Sequence, residues 1–308
     1  MKNLIYLLLA LPLLFTSCSN EDMAPKEETV EVSFRAELPQ AMGTRAVALE
    51  DLTVYCAVFE NGVEIAGLGA AIDVVAGQPI VFAPRLVKGR TYDIAFWASK
   101  EGAYNVTDMT AICRTSPVPI GITEADYDAF TANATITVEG NHSQDITLCR
   151  PLALLNLGVT EDDWNGVANP DTFNLPPKNI TLTISSVRTS FNALTGNALN
   201  SAVSDITYYL GVTGNDLEVN GKTYKNIAQC YVLMDATKQN DSTTANLTYS
   251  IYSTNSSPIR ENAQIIHVPL QANHITNVVG GLLTGVVSYT ITVKDDGAYA
   301  EEDNNKDI

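Results

Sequence analysis

Residues 29–38 read TVEVSFRAEL, in which Val30, Val32, Phe34, Ala36 and Leu38 alternate with Thr29, Glu31, Ser33, Arg35 and Glu37. Successive side chains of a strand point to opposite faces, so this spacing predicts a half-buried β-strand with five apolar residues on one face. The same period of two recurs down the chain. Leu52 to Phe59 predicts a second strand, and Asn61-Gly62 supplies the backbone of a type I′ hairpin turn into Val63 to Ile65. Further strands are expected at Ile80 to Phe82, Tyr92 to Ala98, Ala134 to Val138 and Ile146 to Leu157. In the second half Ile180 to Val187, Ala228 to Met234, Ala245 to Tyr252 and Ile265 to Pro269 follow, with a hairpin signal at Asn220-Gly221. The last expected strand, Val286 to Val293, sets Val287, Tyr289, Ile291 and Val293 on one face. Helical periodicity is confined to a short acidic stretch around Ile122 to Ala132.

Many short strands separated by turn signals over 308 residues predict an all-β chain of two β-sandwiches. Pro cannot donate to a sheet ladder, so Arg150-Pro151 marks the expected boundary. The N-terminal sandwich is then 29–151 and the C-terminal one 152–308.

The first residues read as an export signal. Met1-Lys2-Asn3 gives a positive start, and Leu4 to Phe15 is an apolar run too short to span a bilayer. Phe15-Thr16-Ser17-Cys18 resembles the lipobox of bacterial lipoproteins, which makes residues 1–17 the signal peptide and Cys18 the lipidated (palmitate-bearing) first residue. Ser19 to Glu28 continues as a polar tether. At the other end Lys294 to Ile308 is acidic and poor in apolar residues, a tail with no core pattern.

Lys and Arg number 18 against 35 Asp and Glu, a formal net charge of -17. That balance excludes a phosphate backbone as partner, and with it nucleic acid. Cys56, Cys113, Cys149 and Cys230 show no CxxC spacing, so neither a zinc site nor a redox motif is expected, and no disulfide pairing follows from their positions. His142, His267 and His274 stand apart from any nucleophile elbow or HExxH pair and read as surface or strand-edge residues. Glu161-Asp162-Asp163-Trp164-Asn165-Gly166 begins like a calcium loop, but Thr172 stands where the twelfth-position Glu would be, so an acidic turn is expected. Trp97 and the tyrosines alternate with apolar neighbours and read as core. No catalytic residue, cofactor or metal is expected, and the chain does not read as an enzyme.

The two ends of the chain carry the remaining signal. Arg45, in QAMGTRAV (40–47), is a lone basic residue among small ones in an acidic chain. A protease cutting there would detach the tether and the strand Val30 to Leu38, leaving an open sheet edge. An extended segment from another molecule fills such a site by strand addition, and Val287, Tyr289, Ile291 and Val293 have the required alternation.

The order of these features is similar to the fimbrillin, or type V pilin, superfamily of Bacteroidales surface lipoproteins. The lipobox cysteine is followed by Val-Glu-Val-Ser-Phe-Arg-Ala (30–36) and Thr44-Arg45-Ala46, then by YDIAFWA (92–98), LCRPLALLNL (148–157) and NVVGGLLT (277–284). The resemblance implies two tandem transthyretin-like, Greek-key β-sandwiches exported to the outer membrane. It also implies cleavage by an arginine-specific protease between Arg45 and Ala46, with residues 18–45 removed as a propeptide. The strand carrying Val30, Val32, Phe34, Ala36 and Leu38 is then replaced by the C-terminal donor strand of a neighbouring copy or related pilin subunit. The mature piece loses four basic and six acidic residues, which leaves a formal charge of -15. The product is a cell-surface fimbrium serving adhesion to a host or bacterial partner. The alternative expectation is a monomeric, lipid-anchored surface protein that keeps its first strand and binds glycan or host protein.

Overall fold

The structure, a computed structural model, describes residues 27–38, 51–117, 119–120, 122–167, 176–199, 204–236, 242–254 and 256–295. The first half contributes β1 (Thr29–Glu37), β2 (Leu52–Glu60), β3 (Val63–Glu64), β4 (Ala70–Asp73), β5 (Ile80–Phe82), β6 (Arg85–Val87), β7 (Thr91–Lys100), β8 (Tyr104–Asn105), β9 (Ile112–Arg114), β10 (Ala129–Thr137) and β11 (His142–Thr147). The second half begins with β12 (Leu152–Val159) and the helix α1 (Glu161–Val167), followed by β13 (Pro177–Val187), β14 (Ser190–Asn192), β15 (Asn197–Ala198) and β16 (Ser204–Gly211). It closes with β17 (Asp216–Val219), β18 (Lys222–Leu233), β19 (Thr243–Ser253), β20 (Pro258–Leu270), β21 (His274–Gly281) and β22 (Ser288–Asp295). The chain is all-β, built as two sandwiches.

The first sandwich packs a sheet of order β11-β1-β5, with β6 also on β1, against a sheet of order β10-β7-β2-β3, with β4 on β2. Between them lie Val32, Phe34, Val54, Val58, Ile94 and Phe96, all at or near zero exposure. The second sandwich packs β17-β18-β12-β21-β22 against β16-β13-β19-β20 over Leu155, Leu157, Leu182, Leu247, Tyr249 and Ile265. A third cluster joins them: Phe59, Trp97 and Tyr127 from the first half meet Leu154, Phe191, Tyr231 and Leu233 from the second. A small sheet of order β15-β14-β9-β8 draws strands from both halves at that junction.

This third cluster explains why β2 and β7 read as nearly unbroken apolar runs. One face of each lies on the first core and the other on the junction, so no side needs to be polar. Strand β12 is buried along its whole length for the same reason, and its one amide, Asn156, donates to Asn277 on β21 at 2.8 Å.

Two local expectations change. The stretch around Ile122 to Ala132 forms only a 3-10 turn at Glu124–Tyr127, where Asp126 accepts from the backbone of Thr123 at 2.7 Å; the chain then enters β10 against β7. The burial of Phe130 in one core and Ala129 in the other demands a period of two, which overrides the weak helical pattern. The run from Ile146 to Leu157 is likewise two strands. Between them Cys149 bridges to Thr131 and Arg150 turns inward onto Asp128, at 2.7 and 2.9 Å, so the ladder stops before Pro151.

Candidate strand-exchange site

Strand β1 faces the first core with Val32, Phe34 and Ala36 at 0%, 0% and 5% exposure, flanked by half-buried Val30 and Leu38. Phe34 stacks on Phe82 with centroids 6.3 Å apart and meets the edge of Phe96 at 6.0 Å, an arrangement that suits the ring quadrupoles. The strand is interior to its sheet. It pairs in parallel with β11, Val32 opposite His142 through Glu37 opposite Thr147. On its other side it pairs antiparallel with β5 and β6. This corrects the expected open edge: removing β1 would leave a slot between two strands, with both walls offering unpaired backbone groups. The reason is topological, since β11 lies more than a hundred residues downstream and local alternation says nothing of it.

The beginning of β1 is tied down by charge. Lys88 pairs with Glu28 at 3.3 Å, Arg90 pairs with Glu27 and with Glu60, and the Arg85 guanidinium donates to the Thr29 carbonyl at 3.0 Å. Glu27 heads the causes that hold the Arg90 guanidinium above its usual pKa, followed by Glu60.

Strand β22 stands in the opposite situation. Among the described residues it is an edge strand, paired with β21 from Gly281 opposite Ser288 to His274 opposite Asp295. Its inward residues Val287, Tyr289, Ile291 and Val293 are half-buried, the first three against the second core. Gly280 permits the close approach, because a Cβ there would lie 2.1 Å from the Ser288 carbonyl oxygen. The segment leading to β22 is held firmly. The Asp163 carboxylate on α1 accepts from the N–H groups of Leu282, Leu283 and Thr284 and from the Thr284 hydroxyl, at 2.6 to 2.9 Å. Arg260 donates to the carbonyls of Leu283 and Gly285, and the Tyr249 hydroxyl donates to that of Leu282. Val286, immediately after, is 91% exposed. The acidic turn expected at residues 161–166 is thus a helix whose third residue anchors a distant loop. Sequence reading found the carboxylates, and nothing local showed their partner.

Cys18, Arg45 and Ala46 lie outside the described residues. His142 and His267 are exposed, and His274 is half-buried with a ring nitrogen 2.8 Å from the Ala272 carbonyl. Trp97 is core, packed on Tyr104 and Phe191. Cys56 and Cys230 are buried thiols; burial pushes that of Cys56 up to about 12 and raises that of Cys230 as well.

The fold and its terminal strands define a double β-sandwich whose first strand is interior and whose last is an edge. The chain belongs to a family of unknown function, DUF6562, whose pattern matches residues 24–308. No curated protein matches it in sequence. Among solved structures, a candidate adhesin from Bacteroides ovatus is similar at 9% identity and a TM-score of 0.49, covering 82% of this chain and 88% of that one. The tip fimbrial protein Mfa3 from Porphyromonas gingivalis, with a C-terminal truncation, is similar at 14% identity and a TM-score of 0.45, covering 87% and 100%. A fimbrial assembly protein from Parabacteroides distasonis is similar at 12% identity and 0.41, covering 88% and 97%.

Proposed function

We propose that the chain is a structural subunit of a surface fimbria. In this reading it is exported as an outer-membrane lipoprotein through Cys18, cut between Arg45 and Ala46, and joined to further copies by exchange of β1 for β22 of a neighbour. The observation that carries the proposal is the contrast between the two strands: β1 is buried and paired on both sides, β22 is half-buried and paired on one. Loss of β1 removes on the order of 5 to 10 kcal/mol of apolar burial, at about 1.5 to 3 kcal/mol per large side chain. That is comparable to the whole stability of a typical domain, roughly 5 to 15 kcal/mol. The cut subunit is therefore driven to refill the slot, and an alternating strand does so with both backbone pairing and side-chain fit.

The test uses the lipid-free precursor, Cys18→Ser, treated with an arginine-specific protease. The expected result is Ala46 as the new N-terminal residue, followed by ladders of high mass that resist SDS at room temperature, and neither in an Arg45→Ala variant. A cut protein that stays monomeric sinks the reading; glycan binding by the uncut monomer would then favour the lipid-anchored binding protein.

A further inference from the structure

If β22 of one copy enters the slot left by β1 of another, which rests on the reading above, two directions are open to it. Side-chain size limits the register in each. With the incoming strand running the same way as β1 and Tyr289 in the place of Phe34, Ile291 falls on the site of Ala36, which is 5% exposed, and Gly285 on that of Val30. The first enlarges the side chain at a closed site and the second removes one from a half-buried site. Shifting by two residues instead puts Tyr289 on the fully buried site of Val32 and the Asp295 carboxylate over the apolar site of Leu38. Running the other way with Tyr289 again on Phe34, Val293 falls on Val30, Ile291 on Val32 and Val287 on Ala36, so the two closed sites together gain the same volume as in the first direction. Gly285 then falls on Leu38, half-buried like Val30, so each direction loses one side chain at one end of the slot.

Charge separates the directions. Once residues 18–45 are gone, Lys88 and Arg85 lose Glu28 and the Thr29 carbonyl, while Arg90 keeps Glu60. That end of the slot becomes basic. The walls toward the other end, β5 and β11, hold no Lys or Arg, and β11 presents exposed Asp145. Beyond Val293 the donor continues as KDDGAYAEEDNNKDI, six acidic residues against two basic.

We infer that the incoming strand runs opposite to β1, with Val293, Ile291, Tyr289 and Val287 in the places of Val30, Val32, Phe34 and Ala36. Asp295 then takes the place of Glu28 beside Lys88, and residues 296–308 lie toward Arg85 and Lys88. The acidic tail is the electrostatic guide for the donor, supplied by a second copy of this chain. Opposite charges at the slot entrance raise the rate of joining, and salt lowers it.

The experiment joins protease-treated subunits, half of them isotope-labelled so that contacts between copies are recognised by mass. A zero-length carbodiimide then couples amines to carboxylates they touch. The expected product links Lys88 of one copy to Asp295, Asp296, Glu301 or Glu302 of another. In a Thr147→Lys variant, which places an amine at the far end of the slot, coupling of the tail to the introduced lysine in place of Lys88 overturns the inference and leaves strand exchange standing. Absence of any polymer overturns both. In a separate arm, Lys88→Glu in the acceptor is expected to slow joining by roughly tenfold at low salt, and Asp295→Lys in the donor to recover most of that. An unchanged rate in the acceptor variant overturns the guiding role.

Discussion

Phe34 shows how one residue joins sequence, core and assembly. It sits in the middle of an alternating stretch, it is wholly buried, and its ring touches two others from β5 and β7. Truncation at such a site costs about 3 to 5 kcal/mol, the lost transfer energy plus the cavity. Phe34→Ala is therefore expected to lower the stability of the uncut protein by that amount in urea unfolding. The joined form no longer contains β1, so its stability is expected to be unmoved by the same substitution; an equal loss in both forms would mean that β1 never leaves. Asp163 carries the opposite lesson. Its four hydrogen bonds to residues 282–284 were invisible in the sequence, where it looked like one acid among three.

Among elements, β21 and β22 make the pair on which release depends. Gly280 is the point of closest approach, so Gly280→Ala would press a methyl group into the backbone of Ser288 and Tyr289. The expected outcome is amide exchange at least about tenfold faster along β22, with β12 and β18 unchanged, as follows when an edge strand opens locally. Equal protection in variant and parent would show that the strand accommodates the methyl without moving. The alternation of β1 and β22 was legible because each has one face on a core. Strand β21 was not read at all: HITNVVGG is interrupted by Thr276, Asn277 and two glycines, residues whose place is set by Pro269, Asn156 and the close approach of β22. The interior position of β1 was equally hidden, since its neighbours come from residues 80–87 and 142–147. Helical period around 122–132 lost to the demand of two cores for alternate side chains.

At the scale of the whole molecule, the junction makes the two sandwiches one body. Besides its apolar cluster it holds a buried ion pair, Arg150 with Asp128, at 5% and 0% side-chain exposure, and Arg150 also reaches Asn273 of the second half at 3.3 Å. Arg114 adds a second tie, pairing with Glu124 and donating to the Tyr231 carbonyl at 2.7 Å while its guanidinium lies 3.9 Å from the centre of the Tyr127 ring. Removing one member of a buried pair strands the other, so Arg150→Ala is expected to cost about 3 to 5 kcal/mol in urea unfolding. Replacing both, Arg150→Met with Asp128→Leu, is expected to recover most of it; a double variant as weak as the single would place the cost in packing alone. The placement of β1 and β22 also has a mechanical side. A strand lying between two neighbours and pulled along its axis loads both ladders together, in shear. A strand on an edge, pulled the same way, loads a single ladder. Tension on this molecule thus finds a slot that grips and an edge that lets go.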